Sequence, residues 1–241
     1  MDNNIAIKLE NINKTYILHD RGNTIRDRFF SLLNGKGTRR LKALHDINLE
    51  VKKGEFFGIV GMNGSGKSTL IQIMNNAIPP DPGGKVFVSG KAMRLALGMG
   101  FNDELTARQN VMLNSSVLGM SIKDIKAKMD EIIAFAELED FVDTPVKYYS
   151  SGMKSKLMFS IAVNAEADIF LMDEFFGGVG DQNFRKKADE VFHDRILKGK
   201  TIVHVSHQME TIKRYCDRVL LLEKGRVVAV GTPDEVLSLM K

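Results

Sequence analysis

The sequence predicts an α/β protein with a mostly parallel sheet, and three observations support that prediction. After residue 160, apolar stretches of strand length alternate with amphipathic helical stretches, which is the pattern of a parallel sheet covered by helices. A short apolar run at 56–60 leads into a glycine-rich loop at 61–69 and then into a helical stretch from residue 70. A block of helical character at about 95–160 interrupts the strands, and we predict that it forms an inserted helical subdomain.

The N-terminal part is predicted to form an antiparallel subdomain at the edge of this core. Residues 5–17 alternate apolar and polar positions, which indicates an edge strand of an antiparallel sheet. A second strand is predicted at 47–51, and a turn at 52–54 separates it from the strand that enters the glycine-rich loop. Residues 20–42 break the pattern and carry many cations, which are Arg21, Arg26, Arg28, Lys36, Arg39, Arg40 and Lys42.

Turn and cap signals define the remaining elements. The proline- and glycine-rich stretch 79–84 predicts a turn before a strand at 86–88. Ser121 is a predicted N-cap for a helix that extends to residue 137. The elements predicted after residue 160 are a buried strand at 169–172, a basic amphipathic helix at 182–198, a strand at 201–205, a short helix at 208–216, a hairpin of 218–222 and 226–230, and a terminal helix from Pro233.

Composition limits the class of protein. A chain of 241 residues with 44% hydrophobic and 27% charged residues can bury a large core. The single Cys216 cannot form an internal disulfide, which fits a reducing compartment. The sequence has no apolar run as long as a membrane span, and its first residues lack the regions of a signal peptide. The net charge of +4 is mild and does not by itself indicate a nucleic-acid partner.

Residues 61–69, Gly-Met-Asn-Gly-Ser-Gly-Lys-Ser-Thr, match the phosphate-loop pattern G-x-x-x-x-G-K-[ST]. The glycines let backbone N–H groups turn inward around an anion, and the following helix directs its positive end to the same place. A glycine-rich turn with a chance Lys-Ser is the alternative, but the complete pattern lies in the required strand–loop–helix context. The residues predicted to hold phosphates and Mg²⁺ are Gly61, Asn63, Gly64, Ser65, Gly66, Lys67, Ser68 and Thr69.

Two carboxylates follow the apolar strand Ile169–Met172 directly. In a nucleotide site, Asp173 can hold Mg²⁺, usually through water, and Glu174 can polarise an attacking water. Taken alone, the motif more often marks a strand that meets a solvated loop.

A second motif, Tyr149–Leu157, lies about twenty residues upstream. Ser150 or Ser151 can cap a helix there, and Gly152 allows a tight turn. The capped start of a helix is also an anion site, so the structural and functional interpretations are compatible.

The order of these motifs, with His207 after a strand, resembles the ATP-binding subunits of ABC transporters over essentially the whole chain. Tyr149–Met153 is similar to the family signature Leu-Ser-Gly-Gly-Gln and departs from it at its first, third and fifth residues. The form Tyr-Ser-Ser-Gly-Met is typical of the exporters of capsule, O-antigen and teichoic acid chains. The stretches 97–110 and 205–210 also resemble that branch.

The resemblance implies a P-loop NTPase fold of the ABC type and a role for each motif. The implied roles are adenine stacking by Tyr16, phosphate binding by Gly61 to Thr69, metal binding by Ser68 and Asp173, water activation by Glu174, and a γ-phosphate contact by His207. Signature residues Ser150, Ser151 and Gly152 are implied to reach the nucleotide of the other subunit in a homodimer, and Asp181 the loop between subunits. His204 is predicted to be structural.

Two departures from the family pattern are visible. Most members have a glutamine near residues 94–97, whereas this sequence reads Arg94-Leu95-Ala96-Leu97, so the glutamine's role is unassigned. Six residues separate Glu174 from Asp181, one more than the family usually has, which puts the register of Asp181 in question.

The predicted function is ATP hydrolysis that drives export of a lipid-linked polysaccharide. The chain is predicted to be one domain, 1–241, with a core of 1–94 and 161–241 and a helical subdomain at about 95–160. The implied cofactors are ATP and Mg²⁺, and the implied partners are a second copy and a membrane permease, at the cytoplasmic face of the bacterial inner membrane. Residues 20–42 are a candidate for contact with that membrane. The alternatives are the ATPase of another ABC transporter and a soluble ABC ATPase that acts on nucleic acid or ribosomes.

Overall fold

The computed structural model describes residues 4–19, 38–95, 100–173 and 181–240. Its strands are β1 (Ile5–His19), β2 (Thr38–Lys52), β3 (Phe56–Val60), β4 (Lys85–Val88), β5 (Ala92–Leu95), β6 (Ile169–Asp173), β7 (Thr201–Val205), β8 (Arg218–Glu223) and β9 (Arg226–Gly231). Its α-helices are α1 (Lys67–Met74), α2 (Ala107–Val117), α3 (Ile122–Ala136), α4 (Ser151–Ala162), α5 (Gln182–Phe192), α6 (Met209–Tyr215) and α7 (Pro233–Leu237). None of the helices in these ranges is long and apolar enough to cross a membrane.

The smaller sheet has three antiparallel strands in the order β2-β1-β4. The predicted edge position of the first strand is therefore wrong, because β1 pairs with β2 along one side and with β4 along the other. The strand predicted at 47–51 is confirmed, but it is longer than predicted, since β2 begins at Thr38 and ends at Lys52. Residues 20–37 of the cation-rich segment 20–42 lie outside the described residues.

The larger sheet has six strands in the order β5-β6-β7-β3-β8-β9. Its strands pair in parallel except for the hairpin β8–β9, as the sequence predicted. The strand β3 lies inside the sheet, is buried along its whole length, and ends where the glycine-rich loop begins. The carboxyl ends of β3, β6 and β7 therefore meet at one edge, which is where parallel sheets place their ligand sites.

The core has three apolar clusters. One lies between the two sheets and includes Phe57, Leu70 and Val203. A second covers the other face of the larger sheet and is built around aromatic contacts such as that of Phe159 with Phe184. The third joins α2, α3 and α4 with the loops between them. The helical block thus has a core of its own.

Helix limits follow the predicted caps more closely than the predicted ends. Ser121 caps α3 by accepting a hydrogen bond from the N–H of Asp124, as predicted. The predicted helix 182–198 is an α-helix only to Phe192, and a π-helical turn covers His193–Leu197. Periodicity cannot detect that change, because a single wider turn barely alters the apolar stripe.

His204 is the fourth residue of β7 and has no exposed surface, which is what its predicted structural role requires. Its ring contacts Phe56 edge-on, with 6.1 Å between the ring centroids. Burial, which disfavours the imidazolium, lowers the pKa of His204 from 6.5 to about 4, although Asp173 acts in the opposite direction.

Acid is therefore expected to destabilise the fold through His204. Below pH 6.5 the unfolded chain binds a proton that the native chain does not bind until about pH 4, so stability falls across that range. The expected loss of unfolding free energy is about 2 kcal/mol between pH 7 and pH 5. Urea denaturation of the wild type and of His204→Gln at both pH values measures it. An equal decrease in the two proteins would contradict the assignment.

Candidate functional site

The loop after β3 is held between two strands that leave no room for side chains at two of its glycines. A Cβ on Gly61 would lie 2.1 Å from the carbonyl oxygen of Leu222, and Gly61 has a φ of 148°. A Cβ on Gly66 would lie 2.8 Å from the carbonyl oxygen of Ala43, and its φ is 107°. Only glycine tolerates both the conformation and the contact. The close packing of the loop on β2 and β8 thus explains these two glycines of the motif.

Lys67 opens α1 and points back into the loop. Its ammonium donates hydrogen bonds to the carbonyl oxygen of Gly61 at 2.7 Å and of Met62 at 3.0 Å. The side chain is only 7% exposed. A cation held this deeply at the positive end of a helix attracts an anion, since both its desolvation and the helix dipole favour negative charge there.

Ser65 adds a hydroxyl group inside the same loop. Its Oγ is buried and has no hydrogen-bond partner within the described residues. The Ser65 backbone is fixed, because its carbonyl oxygen accepts from the N–H of Gly225 at 2.8 Å, and the Gly225 carbonyl accepts from the N–H of His45 at the same distance. A buried hydroxyl without a partner is rare in folded proteins, so a phosphate oxygen fits this position.

A cleft of about 420 Å³ lies beside the loop. It brings together most of the residues that the sequence predicted to hold nucleotide and metal. The residues that line it are Tyr16, Leu41, Ala43, Asn63, Gly64, Gly66, Lys67, Ser68, Thr69, Asp173, Val205 and His207. Gly61 and Ser65 line a neighbouring cavity together with Asn63 and Gly64. The apolar positions Leu41, Ala43 and Val205 were not predicted from the sequence.

Tyr16 lines the cleft, and its position is fixed by contacts with Thr69 and Leu41. Its hydroxyl lies 3.4 Å from the Thr69 hydroxyl, and Leu41 pairs with it across the sheet. The preceding Thr15 binds the Asp81 carboxylate through its N–H at 3.2 Å and its hydroxyl at 2.8 Å. The turn at 79–84 thereby fixes the strand that carries the ring. A half-exposed aromatic face beside a phosphate loop is suited to stacking on a nucleobase.

Asp173 is the last residue of β6 and also lines the cleft. Its Oδ2 accepts a hydrogen bond from Arg94 Nη2 at 3.0 Å. The sequence left the role of the segment at 94–97 unassigned and did not predict this ion pair. The only signal was a charged residue in an otherwise apolar strand. The Asp173 carboxylate and the exposed Ser68 hydroxyl are hard oxygen donors on one cleft, and this donor set fits Mg²⁺.

His207 lies at the end of the cleft, just past β7. The N–H of Gln208 donates to the Ser206 hydroxyl at 3.0 Å, which tightens the turn and leaves the His207 side chain exposed. The predicted water-activating residue Glu174 and the spacer 175–180 lie outside the described residues.

The signature residues do not line this cleft. Ser150 caps α4 by accepting a hydrogen bond from the N–H of Met153 at 3.2 Å, and both Ser150 and Ser151 are exposed. A side chain on Gly152 would meet open space except for the Ser150 hydroxyl at 3.8 Å. An exposed, capped helix start with room above it can receive an anion from another molecule.

Asp181 lies apart from the cleft as well and caps α5. It accepts hydrogen bonds from the N–H groups of Asn183 and Phe184, each at 3.0 Å, and pairs with Lys156 at 2.9 Å. The helix N–H groups and the Lys156 ammonium lower the pKa of Asp181 to about 2. Lys156 also pairs with Glu137 at the end of α3. Asp181 thus connects α5 to two helices of the helical block.

Comparisons with known proteins cover most of the chain. Residues 44–177 match the family model described as ABC transporter. The chain is 39% identical over 243 residues to the O-antigen export system ATP-binding protein RfbB of Klebsiella pneumoniae, which covers 98% of this chain and 97% of that protein. It is 41% identical over 237 residues to the teichoic acids export ATP-binding protein TagH of Lactococcus lactis subsp. lactis (strain IL1403), across 98% of this chain. The chain spans 50% of the length of that TagH.

The fold also matches solved structures. A dimeric ATP-binding cassette in a post-hydrolysis state, bound to ADP and Pi, superimposes with a TM-score of 0.69 at 24% identity. The match covers 94% of this chain and 98% of that one. At this level of identity the similarity shows a shared fold.

Proposed function

Because the chain belongs to the ABC transporter family, we propose that it is the ATP-hydrolysing subunit of a transporter that exports a lipid-linked polysaccharide. The observation that carries the proposal is the cleft that unites the phosphate loop with Tyr16, Asp173 and His207. The O-antigen and teichoic acid export proteins to which the chain is similar support the substrate class. The subunit is proposed to act at the cytoplasmic face of the membrane, bound to a separate permease.

The residues of the cleft are proposed to contact different parts of the nucleotide. Tyr16 is proposed to stack on the adenine ring, and the loop from Gly61 to Thr69 to hold the phosphates through its N–H groups and the Lys67 ammonium. Ser68 and Asp173 would hold Mg²⁺. When bound, Mg²⁺ neutralises phosphate charge. Lys67 contributes a second positive charge, held in place before the nucleotide arrives.

Hydrolysis needs a positioned water and stabilisation of charge on the transferred group. We assign the orientation of the water to Glu174, which directly follows the metal-binding Asp173. His207 is assigned to the γ-phosphate, since it lines the same cleft from the end of β7. Because phosphoryl transfer requires mainly positioning and electrostatic stabilisation, these groups act without forming a covalent bond to the transferred group.

The site is proposed to be completed by a second copy of the chain. Ser150, Ser151 and Gly152 present an exposed helix start that is separate from the cleft of their own chain. In a homodimer they would reach the γ-phosphate bound by the partner, and Asp181 would lie at the junction between the subunits. The proposed unit is therefore one domain per chain, with a core of 1–94 and 161–241 and a helical subdomain at about 95–160 that carries the signature.

Deletion of the gene in its host tests the function. We expect surface polysaccharide to be lost and its lipid-linked precursor to accumulate inside the cell, because the glycan is made but not moved. Wild-type protein should restore export, and so should Arg108→Gln, which changes an exposed ion pair on α2 outside the cleft. Extraction of lipid-linked glycans, with surface labelling, measures both pools. Normal surface glycan together with altered ribosome profiles would instead indicate a soluble ATPase.

We further propose that residues 20–42 contact the membrane surface or the lipid headgroup of the substrate. The described part of the segment supports this, because Arg39 and Arg40 are exposed and lie opposite the exposed apolar side chains Leu18 and Ile17. Exposed cations beside apolar side chains favour an anionic interface, at about 1 kcal/mol for each near-surface cation.

Changing Arg26, Arg28, Arg39 and Arg40 to Gln is expected to impair export and leave the ATPase rate of the isolated subunit unchanged. A matched variant removes four exposed cations elsewhere, which are Lys53, Lys85, Lys123 and Lys186. Export at equal protein level, measured by surface labelling, should fall only in the arginine variant. Unimpaired export in that variant would mean that the segment serves packing alone.

A further inference from the structure

Arg94 connects two neighbouring strands at the edge of the cleft. It lies on β5, where it pairs in register with Leu171 of β6, and it reaches along that strand to Asp173. The distance from Arg94 Nη2 to Asp173 Oδ2 is 3.0 Å. The two side chains are 29% and 25% exposed, so the pair is partly shielded from water. An ion pair in such a place is stronger than one on the open surface.

The guanidinium is directed at this one acceptor. Its Nε is buried and has no hydrogen-bond partner within the described residues. Asp173 makes no other side-chain hydrogen bond among residues 4–19, 38–95, 100–173 and 181–240. Arg94 and Asp173 therefore orient each other through this one hydrogen bond.

The same carboxylate faces the cleft that contains Ser68 and Lys67. Under the proposed function, which this inference rests on, Asp173 also serves Mg²⁺. A guanidinium and a divalent cation repel each other, and they cannot both hold Asp173 at full strength. We propose that Arg94 is a positioning residue that holds the Asp173 carboxylate before metal binds and competes with Mg²⁺ for it.

This competition has a defined consequence. Each binding of metal–nucleotide must loosen the Arg94–Asp173 pair, so Arg94 raises the Mg²⁺ concentration at which the site becomes half-saturated. Binding of nucleotide without metal does not involve the pair. Arg94 therefore sets the metal dependence of the site and leaves metal-free nucleotide affinity unchanged.

Calorimetric titration with ADP, first with EDTA and then at stepped Mg²⁺ concentrations, tests the proposal without any hydrolysis. We expect Arg94→Met and Arg94→Gln to lower the Mg²⁺ midpoint by roughly fivefold, the factor that a partly exposed ion pair supplies. ADP affinity in EDTA should stay within about twofold of the wild type. Arg94→Lys keeps the charge and should fall between the wild type and Arg94→Met. Arg108→Gln is the matched arginine change at a remote ion pair and should alter neither quantity.

Two other outcomes would overturn the proposal. An unchanged Mg²⁺ midpoint in Arg94→Met would show that the pair does not compete with metal. Weaker ADP binding in EDTA would make Arg94 a phosphate ligand.

Asp173→Asn separates this test from the proposed function, because it should raise the Mg²⁺ midpoint and abolish the effect of Arg94→Gln in the double variant. If Asp173→Asn leaves the midpoint unchanged, the assignment of Asp173 to the metal is wrong. Thermal melts check that each variant is folded.

Discussion

Glu174→Gln is expected to lower ATP turnover by at least about a hundredfold while nucleotide remains bound, because the amide cannot accept a proton from water. The substitution preserves the size of the side chain and leaves the phosphate loop unchanged. ATP should therefore persist in the site, and the variant should accumulate as an ATP-bound dimer. Glu174 is thus expected to affect the rate constant and not the affinity.

Three measurements check this result: ATPase rate, ATP affinity and molecular mass by light scattering with and without ATP. Glu210→Gln is the matched control, since Glu210 is an exposed glutamate in the first turn of α6. It should leave all three values at those of the wild type. Near-normal hydrolysis by Glu174→Gln would mean that another residue orients the attacking water.

Lys67→Ala is expected to weaken nucleotide binding itself, by roughly tenfold to a hundredfold, the range for loss of hydrogen bonds to a charged group. The wild-type ammonium is buried and already positioned by the carbonyl oxygens of Gly61 and Met62. Its reorganisation free energy on anion binding is therefore small. Calorimetry with ADP measures the loss. Affinity equal to that of the wild type would mean that the ammonium serves only the loop.

Mixing two inactive variants tests whether the partner chain completes the nucleotide site. Gly152→Asp places a carboxylate at the exposed start of α4, where the partner's phosphate is proposed to lie, and like charges repel. Lys67→Ala chains mixed with Gly152→Asp chains should form dimers in which at most one composite site is intact, so part of the activity returns. Full specific activity in isolated monomers, independent of dilution, would contradict a shared site.

The sequence predicted the cleft because its parts are encoded locally. The phosphate loop needs only a strand, a glycine pattern and a helix, and Asp173 needs only the end of an apolar strand. In a parallel sheet such strand ends meet at one edge, so neighbouring residues could be predicted before their pairing was known.

Contacts between distant segments could not be predicted in this way. The alternation in β1 is the same for an edge strand and a central one, and only its pairing with β4 decides between them. The Arg94–Asp173 pair likewise depends on β5 lying next to β6, which no local pattern specifies. The same limit applies to Leu41, which reaches the cleft because it pairs with Tyr16.

Gly225, in the turn between β8 and β9, joins the two sheets to the phosphate loop, because it accepts a hydrogen bond from the N–H of His45 in β2 and donates one to the carbonyl oxygen of Ser65. The phosphate loop is therefore attached to the contact between the larger sheet and β2 of the smaller sheet. A ligand that restrains the loop also restrains this contact, so part of its binding free energy offsets the conformational entropy that the two sheets lose. Loss of that ligand returns the freedom. Under the proposed ATPase function, binding and release of a phosphate at the loop are therefore expected to change the mobility of β2 near His45.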